Sequence, residues 1–309
     1  MTRRNMLARL GFVASVLSRD LSTSRTCRLR NATPARLREL IGENLRALGA
    51  VITFLKEHHV FLYRISSNLI PFASHAANAL DWRAEFSREF ATLGARFRAA
   101  GVRVSAHPGQ YTVLNSPNAT LVAASISELQ YHADLLDLLG ADTTAKVVLH
   151  IGGLYGAGEA IAMDRFCSVA ADLPDTVRRR LVIENDDRLF DAEEALSAAQ
   201  RTGMPVVFDW LHHNANPCRA PLPEVLPALF ATWKTADGRP KVHLSSQAPD
   251  GPPGAHAPFI DPADALAFFG ALPARPFDCM LEAKEKDRAL LQLRDDLRRA
   301  GVVETDLPR

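Results

Sequence analysis

Cysteine is scarce in this chain, with 4 residues among 309. Cys27, Cys167, Cys218 and Cys279 stand far apart, and no two are spaced as CxxC. That excludes a zinc ribbon and offers no disulfide framework, so reduced structural thiols are expected. An excess of one charge is lacking as well: Lys+Arg 36 against Asp+Glu 35 leaves +1. A uniformly basic nucleic-acid surface is thereby excluded, and any contact with a polyanion must come from a local patch. No apolar run approaches the roughly 20 residues a membrane-spanning helix needs. G-x-G-x-x-G and Walker sequences are missing, which removes the phosphate loop usual in open doubly wound sheets. There is no internal repeat and no low-complexity tract. These absences predict a soluble, cytoplasmic protein with no membrane partner.

What is present is a large apolar content, 47% of the chain, enough for one large core. A (β/α)8 barrel of roughly 250 residues accounts for it without a second domain. Six short apolar runs end in a metal-capable side chain: VRVSAH at His107, KVVLH at His150, LVIE at Glu184, PVVFD at Asp209, PKVHL at His243 and DCMLE at Glu282. That placement fits the C-terminal ends of buried parallel strands, where such barrels keep their active sites. LGFVAS and VFLYRIS (Val60 to Ser66) bring the strand count to eight. Arg3-Arg4 before MLARLGFVASVL has the outline of an export signal, but Arg9 interrupts the apolar stretch and the barrel needs LGFVAS as a strand.

Helical signals fill the intervals. Thr33-Pro34 opens a segment to Glu57 with Leu37, Leu40, Ile41, Leu45 and Leu48 at helical spacing, with an interruption expected near Gly49. Further helices are predicted over Asp81 to Ala100, Leu121 to Leu139, Asp164 to Arg180, Ala192 to Arg201, Leu222 to Lys234 and Pro262 to Gly270. Residues 1–298 make the α/β barrel domain, and residues 299–309 read as a polar, frayed tail. Arg28, Arg30, Arg36 and Arg38 read as a solvated face.

Imidazoles with carboxylates suit manganese, zinc, iron or cobalt, whereas magnesium and calcium prefer oxygen shells. His107, His150, Glu184, Asp209, His212, His243, His256 and Glu282 are too many ligands for one ion, so two or three are implied. A carboxylate such as Glu184 can bridge two ions, and such clusters neutralise the oxygens of an in-line phosphoryl displacement. Any one histidine has a structural alternative, Glu184-Asn185-Asp186 can simply cap a helix, and His213 reads as structural.

The segments LIPFASH (Leu69 to His75), HPGQY (His107 to Tyr111), LHIGGLYG, IENDDR, FDWLHH, PKVHLSSQ, GAHA and LEAKEKD together resemble those of UV damage endonucleases. The resemblance runs from about Leu10 to Leu297. It implies a barrel related to endonuclease IV and a manganese-preferring cluster, with Mg2+, Co2+ or Zn2+ as substitutes. The implied substrate is damaged double-stranded DNA, nicked immediately 5′ of cyclobutane pyrimidine dimers, 6-4 photoproducts and abasic sites, without an obligate protein partner. By the same resemblance His107, His150 and Glu184 would hold one ion; Asp209, His243 and Glu282 would hold a second; His212 and His256 would serve a third. Lys241 matches a lysine that can be carboxylated, and His75 a phosphate contact or proton donor. Gln110 and Tyr111 match a pair that wedges into the duplex. Phe12 stands where some relatives have a tyrosine, leaving a stacking contact to the lesion, and Val16 where they have an asparagine. A metal-dependent sugar isomerase or epimerase on a related barrel is the alternative, since it would share the strand-end ligands.

Overall fold

Short continuous apolar runs make buried strands, and the helical periods between them make crossover helices. In the computed structural model, which describes residues 6–307, eight parallel strands close into one barrel. They are β1 (Leu7–Val13), β2 (Leu62–Arg64), β3 (Arg103–Ala106), β4 (Lys146–His150), β5 (Leu181–Glu184), β6 (Val206–Asp209), β7 (Lys241–Leu244) and β8 (Phe277–Leu281). Each pairs with its neighbour in sequence, and β8 closes on β1 with Leu10 beside Cys279 and Gly11 beside Met280. The predicted (β/α)8 barrel is the observed fold.

Helix α1 (Pro34–Glu57) follows β1, and α2 (Trp82–Glu85) with α3 (Ser87–Ala99) follows β2. Next come α4 (Ala119–Leu138), α5 (Glu159–Ala171) with α6 (Asp175–Arg178), and α7 (Ala192–Thr202). The last are α8 (Trp210–Ala215), α9 (Leu222–Ala231), α10 (Pro262–Ala271) and α11 (Lys286–Arg299). None is long and apolar enough to cross a membrane. Thr33 caps α1 by accepting from the Arg36 N–H at 3.3 Å, as its sequence signature indicates. The four cysteines are free thiols.

Several boundaries differ from the sequence expectation, each for a local reason. Helix α1 runs through Gly49 unbroken, since one glycine costs a long helix only about 1 kcal/mol, and the Arg96 guanidinium lies over it and donates to its carbonyl at 2.6 Å. The helix expected over Asp81 to Ala100 breaks at Phe86, whose backbone leaves helical geometry and whose ring turns onto the core. The one expected over Asp164 to Arg180 starts earlier and breaks before Pro174, which has no N–H to continue it. Helix α9 stops at Ala231, short of Lys234. The close packing of α3 on the end of α4 requires Gly94, where a Cβ would lie 1.8 Å from the Leu139 carbonyl oxygen.

The segment after Arg299 is polar but not frayed, up to the last described residue, Leu307. Its Thr305 N–H donates to the Leu7 carbonyl at 2.9 Å, and the buried Glu304 accepts from the Leu10 N–H at 2.7 Å. The register of β1 shifts between Leu7 and Arg9, leaving strand groups for this segment to satisfy. Glu304 also pairs with Arg294 at 2.6 Å, and Asp306 with Arg9 at 2.7 Å. Glu304→Gln keeps the Leu10 acceptor but loses the charge pair, so a loss of about 2 kcal/mol is expected. A lower thermal midpoint checks this; an unchanged one would deny the anchoring role.

Phe12 corrects a second expectation. It is 0% exposed and packs edge-on against Phe54 of α1 at 6.1 Å and Tyr63 at 5.6 Å. Alternation along β1 points it at the helix layer, so it cannot stack on a lesion. Val16 is likewise enclosed.

Candidate metal centre

A strand presents every second side chain to the same face. Val148, Val182 and Val207 fill the barrel axis beside Trp233, as an apolar cluster separate from the main core. Two residues further along the same strands stand His150, Glu184 and Asp209, and His243 follows Lys241 by the same step on β7. Register places them side by side: His150 opposite Glu184, and Asp209 opposite His243. His107 and Glu282 come directly after β3 and β8. The ligand-type residues therefore ring the C-terminal mouth of the barrel.

Glu184 is the centre of that ring and is 1% exposed. Its Oε2 lies 3.1 Å from His107 Nε2 and 3.3 Å from His150 Nε2, while Oε1 meets His243 Nδ1 and lies 4.0 Å from His212 Nδ1. Three groups have ligand atoms within 4.8 Å of one another: His107–His150–Glu184, Glu184–Asp209–His212 and Glu184–His243–Glu282. Glu184 belongs to all three.

The partition differs from the expected one in two respects. Asp209 falls in a group with His212, whose N–H its Oδ1 accepts at 2.8 Å as the cap of α8, while its Oδ2 still faces the expected partner, 4.0 Å from the His243 Nδ1 that lies 3.2 Å from Glu282. His256 joins none of the three: its Nδ1 is tied to the Glu282 carbonyl at 2.6 Å, and its ring stands 6.4 Å from that of His212.

The residues fit divalent ions on three counts. His107, His212 and His256 turn Nδ1 to the main-chain carbonyls of Pro108, Asn185 and Glu282. In its neutral form a ring so held donates there and can turn Nε2 to a metal in place of a proton, the arrangement that orients metal-ligating histidines. Three carboxylates, Glu184, Asp209 and Glu282, converge in one small volume, and buried Asp209 Oδ2 has no hydrogen-bond partner. Finally, burial would push the Glu184 carboxyl up, but the imidazoles of His243 and His150 and the hydrogen bond from His107 hold it well below the usual range. Burial acts the same way on Glu282, where Arg64 and then His243 reverse it. Burial would lower His212, yet Asp209 and Glu184 push it up to about 9. His150 goes down through burial, against the pull of Glu184.

The remaining site residues are spread around this mouth. His75 is exposed on the loop after β2, and its Nδ1 accepts the Ala77 N–H at 3.0 Å. Gln110 is exposed on the loop after His107, and Tyr111 is 86% exposed. Lys241 is buried one step below His243, and its Nζ has no hydrogen-bond partner. Burial, then Arg103 and Arg64, hold its ammonium well below the usual lysine range. Two cations escaped the sequence reading. Arg64, at the end of β2, enters the cluster and pairs with Glu282 at 2.5 Å. Lys286, at the start of α11, is partly buried; burial lowers its pKa, against the pull of Glu282. The signal for Arg64 was its place at a strand end, like the ligands themselves.

Fold and centre together define a class: TIM-barrel enzymes built around a histidine–carboxylate centre able to hold divalent metal. Within it the chain belongs to the UV-endonuclease UvdE family, whose profile matches residues 8–306. It is 35% identical over 303 residues to the UV DNA damage endonuclease of Bacillus velezensis, covering 94% of each chain. The crystal structure of SacUVDE superposes with a TM-score of 0.89 at 34% identity, over 96% of this chain and 100% of that one. Endonuclease IV from Thermus thermophilus shares the fold, with a TM-score of 0.58 at 20% identity over 94% and 99%. The chain is thus a UV-endonuclease of this family, and the sugar isomerase alternative is not favoured.

Proposed function

We propose that the protein hydrolyses the phosphodiester immediately 5′ of UV lesions in double-stranded DNA, cyclobutane dimers and 6-4 photoproducts first and abasic sites as well. The observation that carries this reading is the membership of Glu184 in all three ligand groups of a UV-endonuclease. One ion would be held by His107, His150 and Glu184, a second by Glu184, Asp209 and His212 with His256 facing it, and a third by Glu184, His243 and Glu282. The ion expected is Mn2+. Divalent ions at such a site supply Lewis acidity and neutralise phosphate charge. His75 accepts at Nδ1, so its neutral ring carries the proton on Nε2, where it can donate a hydrogen bond to a phosphate oxygen. Gln110 and Tyr111 wedge into the stack beside the lesion. The direct test is an end-labelled duplex with one cyclobutane dimer, incubated with protein and Mn2+. A single nick just 5′ of the dimer is expected, abolished by EDTA and missing on undamaged duplex; no nick by a metal-loaded protein would refute the substrate.

Lys241 enters this reading as a carbamate. Burial, then Arg103 and Arg64, favour the neutral amine, which can add to CO2 with loss of one proton, and the same cations stabilise the anion formed. Buried Arg64 Nε, on one of the cations that act on Lys241, lacks a partner and is a donor suited to it. A carbamate carbon signal from 13C-bicarbonate is expected in wild type and not in Lys241→Met; the same spectrum for both would exclude it.

A further inference from the structure

Arg64 touches two of the candidate ligands at once. Its side chain is 6% exposed, with Nη1 2.5 Å from Glu282 Oε1 and Nη2 2.7 Å from His243 Nε2. A guanidinium has only donors, so His243 Nε2 accepts in that bond. The ring proton then sits on Nδ1, where Glu184 Oε1 receives it. A metal ion on His243 cannot coexist with this arrangement. Bound at Nε2, it takes the lone pair that Arg64 uses. Bound at Nδ1, it leaves the neutral ring with its proton on Nε2, so that N–H faces N–H. Either way the Arg64–His243 bond breaks.

Three of the other imidazoles have outer partners of the opposite kind, and buried His150 Nδ1 has no hydrogen-bond partner and so meets no cation. His107, His212 and His256 face carbonyl oxygens, which accept and so reinforce ligation through the far nitrogen. His243 faces a cation, buried where solvent screens its repulsion of an incoming dication poorly. Resting on the metal reading above, we propose that Arg64 makes Glu184–His243–Glu282 the weakest, last-filled and most exchangeable of the three ion positions. The His107–His150 and Asp209–His212 positions fill first. Arg64 thereby sets the metal concentration at which the centre becomes complete.

Titrating Mn2+ calorimetrically into metal-stripped full-length protein tests this, with ions counted by native mass spectrometry. Wild type should bind its last ion more weakly than the others. Arg64→Leu removes both the donor and the charge, and should tighten that last constant by about tenfold or more, the worth of one hydrogen bond to a charged group. The same variant should melt lower without Mn2+, since Glu282 loses its counter-charge, and gain more in midpoint when Mn2+ is added. Arg64→Gln, which also removes the charge, should tighten the constant in the same direction if the leucine variant does not fold. A last constant that is unchanged or weaker in a folded variant would overturn the proposal, as would equal affinity for every ion in wild type. Wild type that binds no ion at all would instead refute the metal reading itself.

Discussion

Glu184→Gln is expected to incise a damaged duplex at least about 10³-fold more slowly than wild type and to retain fewer ions. The carboxylate contacts or faces His107, His150, His243 and His212 and belongs to every ligand group. An amide of the same shape offers one neutral oxygen, and its NH2 meets the imidazoles as a donor. It can neither bridge two ions nor offset their charge. Folding should survive, because a buried neutral amide with an unmet partner costs only about 1–3 kcal/mol and the barrel is closed elsewhere by continuous pairing. Single-turnover incision, metal content by plasma mass spectrometry and circular dichroism on one preparation separate these effects. A folded variant with full metal content and near wild-type incision would sink the proposed chemistry.

Six of the eight candidate ligands were legible because each closes an apolar run, and a parallel strand with period 2 cannot hide which residue lies at its C-terminal end; His212 and His256 lie off the strands and gave no such signal. Their partition was not legible. Asp209 faces His212 through a helix cap formed in space and His243 through its other oxygen, and Glu184 becomes common to all groups only once the strands curve around it. Arg64 was passed over because arginine is not a ligand, although it occupies a ligand's place on β2. Phe12 was misread because an apolar run buried on both faces gives no sign of which face looks inward. The C-terminal segment was misread because polar composition alone says nothing of partners. Glu304 is buried by Arg294 and the Leu10 N–H, contacts that span 10 and 294 positions of sequence.

The second large effect should fall on recognition alone. Gln110→Ala with Tyr111→Ala is expected to abolish most of the preference for damaged over intact duplex while leaving metal content and fold intact. Tyr111 is the most exposed large hydrophobic side chain described, at 86%, and Gln110 is exposed beside it. Truncating them removes almost no packed surface, so the thermal midpoint should hold. Neither residue belongs to a ligand group, so ion stoichiometry should hold too. What disappears is the pair proposed to enter the stack. Opening a base step costs a few kcal/mol in intact DNA and less at an already distorted one, and a wedge turns that difference into selectivity. A difference of about 1.4 kcal/mol is tenfold in binding, so a loss of tenfold or more in the damaged-to-intact ratio is expected. Competition binding of the double variant and wild type to matched duplexes measures it. An unchanged ratio would assign discrimination to some other part of the barrel mouth.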